Sequence, residues 1–148
     1  MTQAGRNSSP DPGDNNRLPR EKILRGQRNF QRLFEKSTLL RSPSLHFRYR
    51  TYTNPDEKCM IGFIAPKKTF KTAVERNKAK RLMREAYRQN QQLLWSSVNQ
   101  ANIGLHGAFI CIKKDLPYSD IERDLLSLLT KAAEKIKLTT TTGPQADQ

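Results

Sequence analysis

The spacing of apolar residues changes several times along this chain, and each change marks an element. In residues 25–36, Phe30, Leu33 and Phe34 recur at helical spacing among Arg25, Arg28 and Arg32, which predicts a short amphipathic helix ending near Ser37. Residues 44–53 switch to period two: Leu45, Phe47 and Tyr49 fall on one side, His46, Arg48, Arg50 and Tyr52 on the other. That alternation predicts a strand with one buried face. Asn54-Pro55-Asp56-Glu57 is turn chemistry and predicts a hairpin into residues 60–65, whose nearly continuous apolar run suits the middle of a sheet and ends at Pro66. A helical period then runs from Ala73 into the mid-nineties, with Ala79, Leu82, Met83 and Ala86 on one arc and Leu93 and Leu94 near it. Residues 96–106 read as a polar connection containing Gly104 and a loop histidine, His106, and residues 108–112 as the last strand. After a turn at residues 113–117, Ser119 or Asp120 is placed to cap a final helix whose broad apolar face carries Ile121, Leu125, Leu128, Leu129, Ala132, Ala133 and Ile136. The predicted fold is a single α+β domain over residues 20–138, with a central mixed sheet packed by helices in the order α-β-β-α-β-α and room for one extra short strand. Disordered polar tails are expected at 1–19 and 139–148.

The long helix carries a second pattern. On a helical wheel Arg76, Asn77, Lys80, Arg81, Arg84 and Arg88 lie within an arc of roughly 140°, apart from the apolar arc. A solvated helix face usually offsets its cations with Glu at i,i+4 spacing. Here Glu75 and Glu85 are the acids among residues 73–88, and Glu75 sits in the first turn, where a carboxylate also suits the helix dipole. Uncompensated positive charge strains a free protein, so an anionic partner is the economical explanation, and the planar donor fork of arginine fits phosphate.

Composition narrows the partner. The 148 residues carry a formal net charge of +13, which points to nucleic acid or an anionic membrane surface. No apolar run approaches the roughly 20 residues of a spanning helix, and the N-terminal residues lack a signal peptide's apolar region, so a cytoplasmic protein without a membrane partner is expected. Cys59 and Cys111 form no CxxC pair and have no His at ligand spacing, so free buried thiols are expected and no metal site. His46 has no carboxylate or nucleophile beside it in the motif, which argues against acid–base catalysis. Phe30 and Phe34, four residues apart, form either a core pair or a stacking platform for bases. The His46/Arg48/Arg50 face is either an ordinary solvated sheet face or a nucleic-acid track.

The segment Ala73-Val74-Glu75-Arg76-Asn77-Lys78-Ala79-Lys80-Arg81-Leu82-Met83-Arg84-Glu85, preceded by Pro66-Lys67-Lys68, resembles the signature of the bacterial ribonuclease P protein component: Arg-Asn, two variable residues, Lys-Arg, two more, then Arg. Arg76, Asn77, Lys80, Arg81 and Arg84 fill every fixed position, and Phe30 and Phe34 match the family's paired phenylalanines on an early helix. The resemblance covers residues 22–137. One departure is Lys68-Thr69-Phe70-Lys71-Thr72, a residue longer than the Gly-Asn turn common in the family.

The resemblance implies a basic helix in a crossover between parallel strands, and a protein subunit that assists a catalytic RNA in removing the 5′ leader from precursor tRNA. In that reading the RNA subunit, with bound Mg²⁺, performs the hydrolysis and the protein supplies no catalytic residue and needs no obligate protein partner. Arg76, Asn77, Lys80, Arg81, Arg84 and Arg88, with Lys67 and Lys68, would contact the RNA subunit. Phe30, Phe34, His46, Arg48 and Arg50 would form a cleft for the single-stranded leader. A generic RNA-binding protein, a self-sufficient nuclease and a DNA-binding helix-turn-helix are the rivals. The nuclease would need a carboxylate cluster, and the 14 acidic residues are scattered.

Overall fold

A computed structural model describes residues 22–141, with side chains through residue 138. The expected tails at 1–19 and 142–148 lie outside the described residues, and residues 139–141 are helical rather than tail. The elements are α1 (Gln27–Glu35), β1 (Thr38–Arg41), β2 (Leu45–Tyr52), β3 (Cys59–Ile64), α2 (Ala73–Asn90), α3 (Gln92–Ala101), β4 (Gly104–Cys111) and α4 (Tyr118–Thr141). They form a mixed four-stranded sheet in the order β1-β2-β4-β3. β4 pairs antiparallel with β2 and parallel with β3, so the basic helix lies in a crossover between parallel strands, as expected.

Two expectations about the sheet fail together. Residues 54–57 do not make a hairpin, because β4 inserts between β2 and β3. The Pro55–Glu57 turn is a short 3₁₀ helix that passes over the start of β4: a Cβ on Gly104 would stand 2.7 Å from Glu57 Cβ and 2.9 Å from the Asn54 carbonyl. Nor is β3 central. It is an edge strand, and its apolar character follows from cover on its outer side, where Ile23 bridges Ile61 and the Leu24 amide donates to the Ile61 carbonyl at 2.9 Å. The interior strands are β2 and β4, and β4 starts at Gly104, four residues before the expected residue 108.

The expected polar connection at 96–106 is also overturned. The helix breaks at Gln91, resumes as α3, and ends on Asn102, whose left-handed backbone (φ 55°) closes it. Leu94 and Val98 bury the inner face of that continuation. Ser119 and Asp120 lie inside the first turn of α4 rather than capping it. The extra strand allowed for at the sequence level exists as β1.

One face of the sheet carries the main core. Phe47 stacks on Phe109 at 4.3 Å between ring centroids, and Phe63 and Tyr87 close around Phe109. Ala79, Met83 and Ala86 of α2 and the apolar stripe of α4 cover these rings. A buried carboxylate pins α4 to the β1–β2 turn: the Ser44 amide donates to Asp124 at 3.0 Å, and the Ser44 hydroxyl donates to the same oxygen. Burial works against the charge of Asp124, but the hydrogen bonds from Ser44 and Arg123 outweigh it and hold its carboxyl below the usual carboxylate range. Its contribution is therefore complete at neutral pH and fades as pH falls through that lowered value. Asp124→Ala strands a buried amide and is expected to cost about 2–3 kcal/mol, read as an earlier midpoint in urea unfolding at neutral pH.

Candidate nucleic-acid interface

The α2 surface starts from its first turn. Thr72 caps the helix by accepting the Glu75 amide at 3.1 Å, and the Glu75 carboxylate accepts the Thr72 amide at 3.2 Å, a reciprocal pair that fixes where the helix begins. The link before it is a turn closed by Thr69 and Phe70 amides on the Pro66 carbonyl, with Phe70 buried. Arg76 reaches back to donate to the Phe70 carbonyl at 2.9 Å, which ties the start of the stripe to that turn.

Ala79, Met83, Ala86 and Tyr87 face inward, and the stripe lies on the remaining surface of the helix, touching β3 at Arg84. Arg84 sets its guanidinium over the Phe63 ring at 5.7 Å, while Asn77 and Arg81 are exposed and Lys80 is half-buried. Among the described residues no carboxylate stands within ion-pair distance of Arg76, Lys80, Arg81 or Arg84, nor of Lys67 and Lys68, both exposed at the exit of β3. Arg88 differs. Glu85 takes it in a two-point pair at 2.6 and 3.2 Å, and that pairing raises the pKa of Arg88 and lowers that of Glu85. The stripe thus holds its free cations in its first three turns and a neutralised one at its end.

The opposite sheet face bears α1. Leu33 is fully buried with Leu24 and Ala108 in a second, smaller core. Phe30 lies half-buried directly on β3: a Cβ on Gly62 would come within 2.7 Å of its ring, so only glycine there lets the ring sit flat on the strand. Phe34 is parallel to Phe30 at 6.3 Å and 43% exposed. The two aromatics therefore separate, one embedded and one offered to solvent. Arg48 holds its guanidinium 5.8 Å from the Phe34 ring and donates to Ser37. His46, half-buried beside it, has its pKa lowered by burial and by Arg41 and Arg48, so it is neutral at physiological pH.

Arg50 is spent elsewhere. It donates to the Arg32 carbonyl at 2.9 Å and lies over Tyr52, fastening the end of α1 to the sheet. His106, expected in a loop, is 2% exposed in β4 and donates from Nε2 to the Glu57 carbonyl at 3.1 Å, while Glu57 pairs with Arg32. This anchor was missed in the sequence; its only signal is the alternation of Leu105, Gly107, Phe109 and Cys111 around it.

The two surfaces meet at β3. Phe63 carries Arg84 on the helix side, and its neighbour Gly62 supports Phe30 on the other. Among the described residues no group of three or more His, Cys, Asp or Glu could hold a metal ion, no helix is long and apolar enough to cross a membrane, and both cysteines are free and buried. Burial pushes the Cys59 thiol up to about 12.

A mixed sheet with a cation-bearing crossover helix on one side and a short aromatic helix on the other defines an α+β protein with two adjoining surfaces suited to a polyanion. A family model described as Ribonuclease P matches residues 18–133, and the chain belongs to that family. The Ribonuclease P protein component of Pseudomonas syringae pv. tomato is 38% identical over 88 residues, 58% of this chain and 65% of that protein. That of Porphyromonas gingivalis is 38% identical over 71 residues, 47% of this chain and 52% of that protein. The chain therefore spans between about half and two thirds of the length of these relatives. The fold is shared with the RNase P protein of Staphylococcus aureus (TM-score 0.60, 22% identity, 75% of this chain and 94% of that one). It is shared equally with that of Thermotoga maritima (TM-score 0.59, 25% identity, 74% and 96%).

Proposed function

We propose that this chain is the protein subunit of a ribonuclease P holoenzyme and assists a catalytic RNA in removing the 5′ leader from precursor tRNA. The observation that carries the reading is the set of cations on α2, Arg76, Lys80, Arg81 and Arg84, left without carboxylate partners among the described residues. With Asn77, Lys67 and Lys68 they bind the RNA subunit through phosphate and shape. Arg88, already paired with Glu85, contributes less.

Phe34, Phe30, Arg48 and His46 receive the single-stranded leader. Stacking on a ring accepts any base, which suits a subunit that must handle leaders of differing sequence. Arg50 acts through α1, holding that helix against the sheet. Mg²⁺ bound by the RNA subunit supplies the hydrolytic chemistry; the protein binds and orients, and by neutralising phosphate it favours metal and substrate association.

The test is reconstitution. Added to a bacterial ribonuclease P RNA at low Mg²⁺, the full chain is expected to stimulate precursor cleavage at the mature 5′ end. Absence of stimulation points to a generic RNA-binding protein, and cleavage by RNA-free protein to a nuclease in its own right.

A further inference from the structure

On the flank of α2 away from β3 lies a cavity of about 420 Å³, between the first turns of that helix and the β4–α4 loop. Its floor is apolar, built from Phe70, Ala79, Cys111 and Ile121, all buried, with Leu82 and Leu116 half-buried at its sides. Its rim carries Lys78, Lys113 and Lys114, all exposed. Two carboxylates share the lining. Glu75 is taken up by the Thr72 amide and by Lys114 at 3.9 Å, and Asp115 is exposed in the loop. Phe70, on the floor, also accepts a hydrogen bond from Arg76 at 2.9 Å through its carbonyl, so the cavity adjoins the start of the basic stripe.

We propose that this cavity receives an unstacked nucleotide of the RNA bound along α2, with the base on the apolar floor and the flanking phosphates on Lys78 and Lys113, Lys114 being paired with Glu75. The inference rests on the reading of α2 as an RNA-binding helix. Three arguments support it. An apolar slot rimmed by cations matches the two halves of a nucleotide, a flat π-face and an anion. The volume lies in the range of small-ligand sites, ample for one base. Lys78 stands one turn from Arg81, so the cations continue from the stripe across the exposed face of α2 to the rim. Asp115 supplies an acceptor for N–H groups on the edge of the base.

The experiment uses the full chain and a bacterial ribonuclease P RNA, reading affinity across a salt series and base-specific chemical modification of the RNA in the complex. The variants are Leu116→Trp, which narrows the cavity from its side and keeps its charges, the pair Lys78→Ala with Lys113→Ala, and Arg81→Ala as a reference. Thermal unfolding confirms that each is folded. Leu116→Trp is expected to weaken binding about 10-fold with the salt slope unchanged. The lysine pair should weaken it and lower the slope by about one to two units. Both should expose a base that the wild-type protein protects. Wild-type affinity and unaltered base reactivity in both, with Arg81→Ala still weakened, overturns the proposal and leaves the stripe standing. A weaker lysine pair with no base newly exposed also overturns it, reducing the rim to phosphate contacts. Should Leu116→Trp not fold, the base exposure in the lysine pair decides. An Arg81→Ala variant that binds like wild type indicts the stripe instead.

Discussion

Replacing Arg81 and Arg84 together by alanine is expected to weaken binding to a ribonuclease P RNA by about 10–100-fold near 0.1 M salt and to flatten the salt dependence by about two units of slope. The size follows from their state in the free protein. Neither has a carboxylate partner among the described residues, so their charge is available to phosphate, and each contact made releases condensed counterions. Arg84 is already oriented over Phe63, so less side-chain freedom is lost when it binds. Arg88→Ala supplies the internal comparison. Its guanidinium must leave Glu85 before it meets phosphate, so its removal is expected to cost less than either of the others and to leave the slope nearly unchanged. Equal losses at all three positions would mean that the Glu85 pair does not persist in the complex. Filter binding across a salt series checks all of these.

The second large effect concerns the leader. Phe34→Ala is expected to reduce holoenzyme affinity for precursor tRNA by about 5–100-fold while leaving affinity for mature tRNA unchanged, because the ring's contribution is stacking on a single-stranded base. Phe34 makes the cleaner test than Phe30. It is 43% exposed and outside the buried core, whereas Phe30 rests on Gly62 and supports the packing of α1. Phe30→Ala therefore mixes lost stacking with a loosened helix, and a fall in the unfolding midpoint is expected to accompany it. Parallel losses for precursor and mature tRNA in Phe34→Ala would assign that ring a role unrelated to the leader.

Much of this arrangement can be read from residue order, and the parts that cannot share a cause. The α2 stripe is legible because helical spacing is local: Arg76, Lys80 and Arg84 recur every four residues whatever the rest of the chain does. The strand carrying His46, Arg48 and Arg50 is legible for the same reason, since alternation is a property of neighbours. Pairing between strands is not local. Asn54-Pro55-Asp56-Glu57 shows that the chain turns but not that residues 104–111 will enter the gap it leaves. The start of β4 is hidden because its helix-facing Gly107 is small so that the Phe47 ring can lie against it, and its other face carries a buried His106 where an apolar residue would announce a strand. The break at Gln91 leaves no gap in the helical period, so the first residues of α3 read as a continuation of α2, while its polar remainder from residue 96 reads as a connection.

Roles within the interface follow the same division. That six basic or polar side chains share one arc is visible in the sequence. That Arg88 is neutralised by Glu85, that Arg50 is committed to the Arg32 carbonyl, and that Phe30 is embedded while Phe34 is offered depend on rotamers and on elements distant in the chain.

Where the RNA lies on the protein is the claim on which the rest depends, and tethered cleavage measures it directly. Cys59 and Cys111 are both buried, so a cysteine introduced on the surface becomes the reactive thiol among the described residues. An iron chelate attached through Asn77→Cys on α2, or through Lys131→Cys on the exposed side of α4, generates hydroxyl radicals from either place in the reconstituted complex. Strong, localised cuts in the RNA subunit from position 77 and only background from position 131 are expected. Strong cuts from position 131 with none from position 77 would place the RNA along α4 rather than along the α2 stripe and contradict the account.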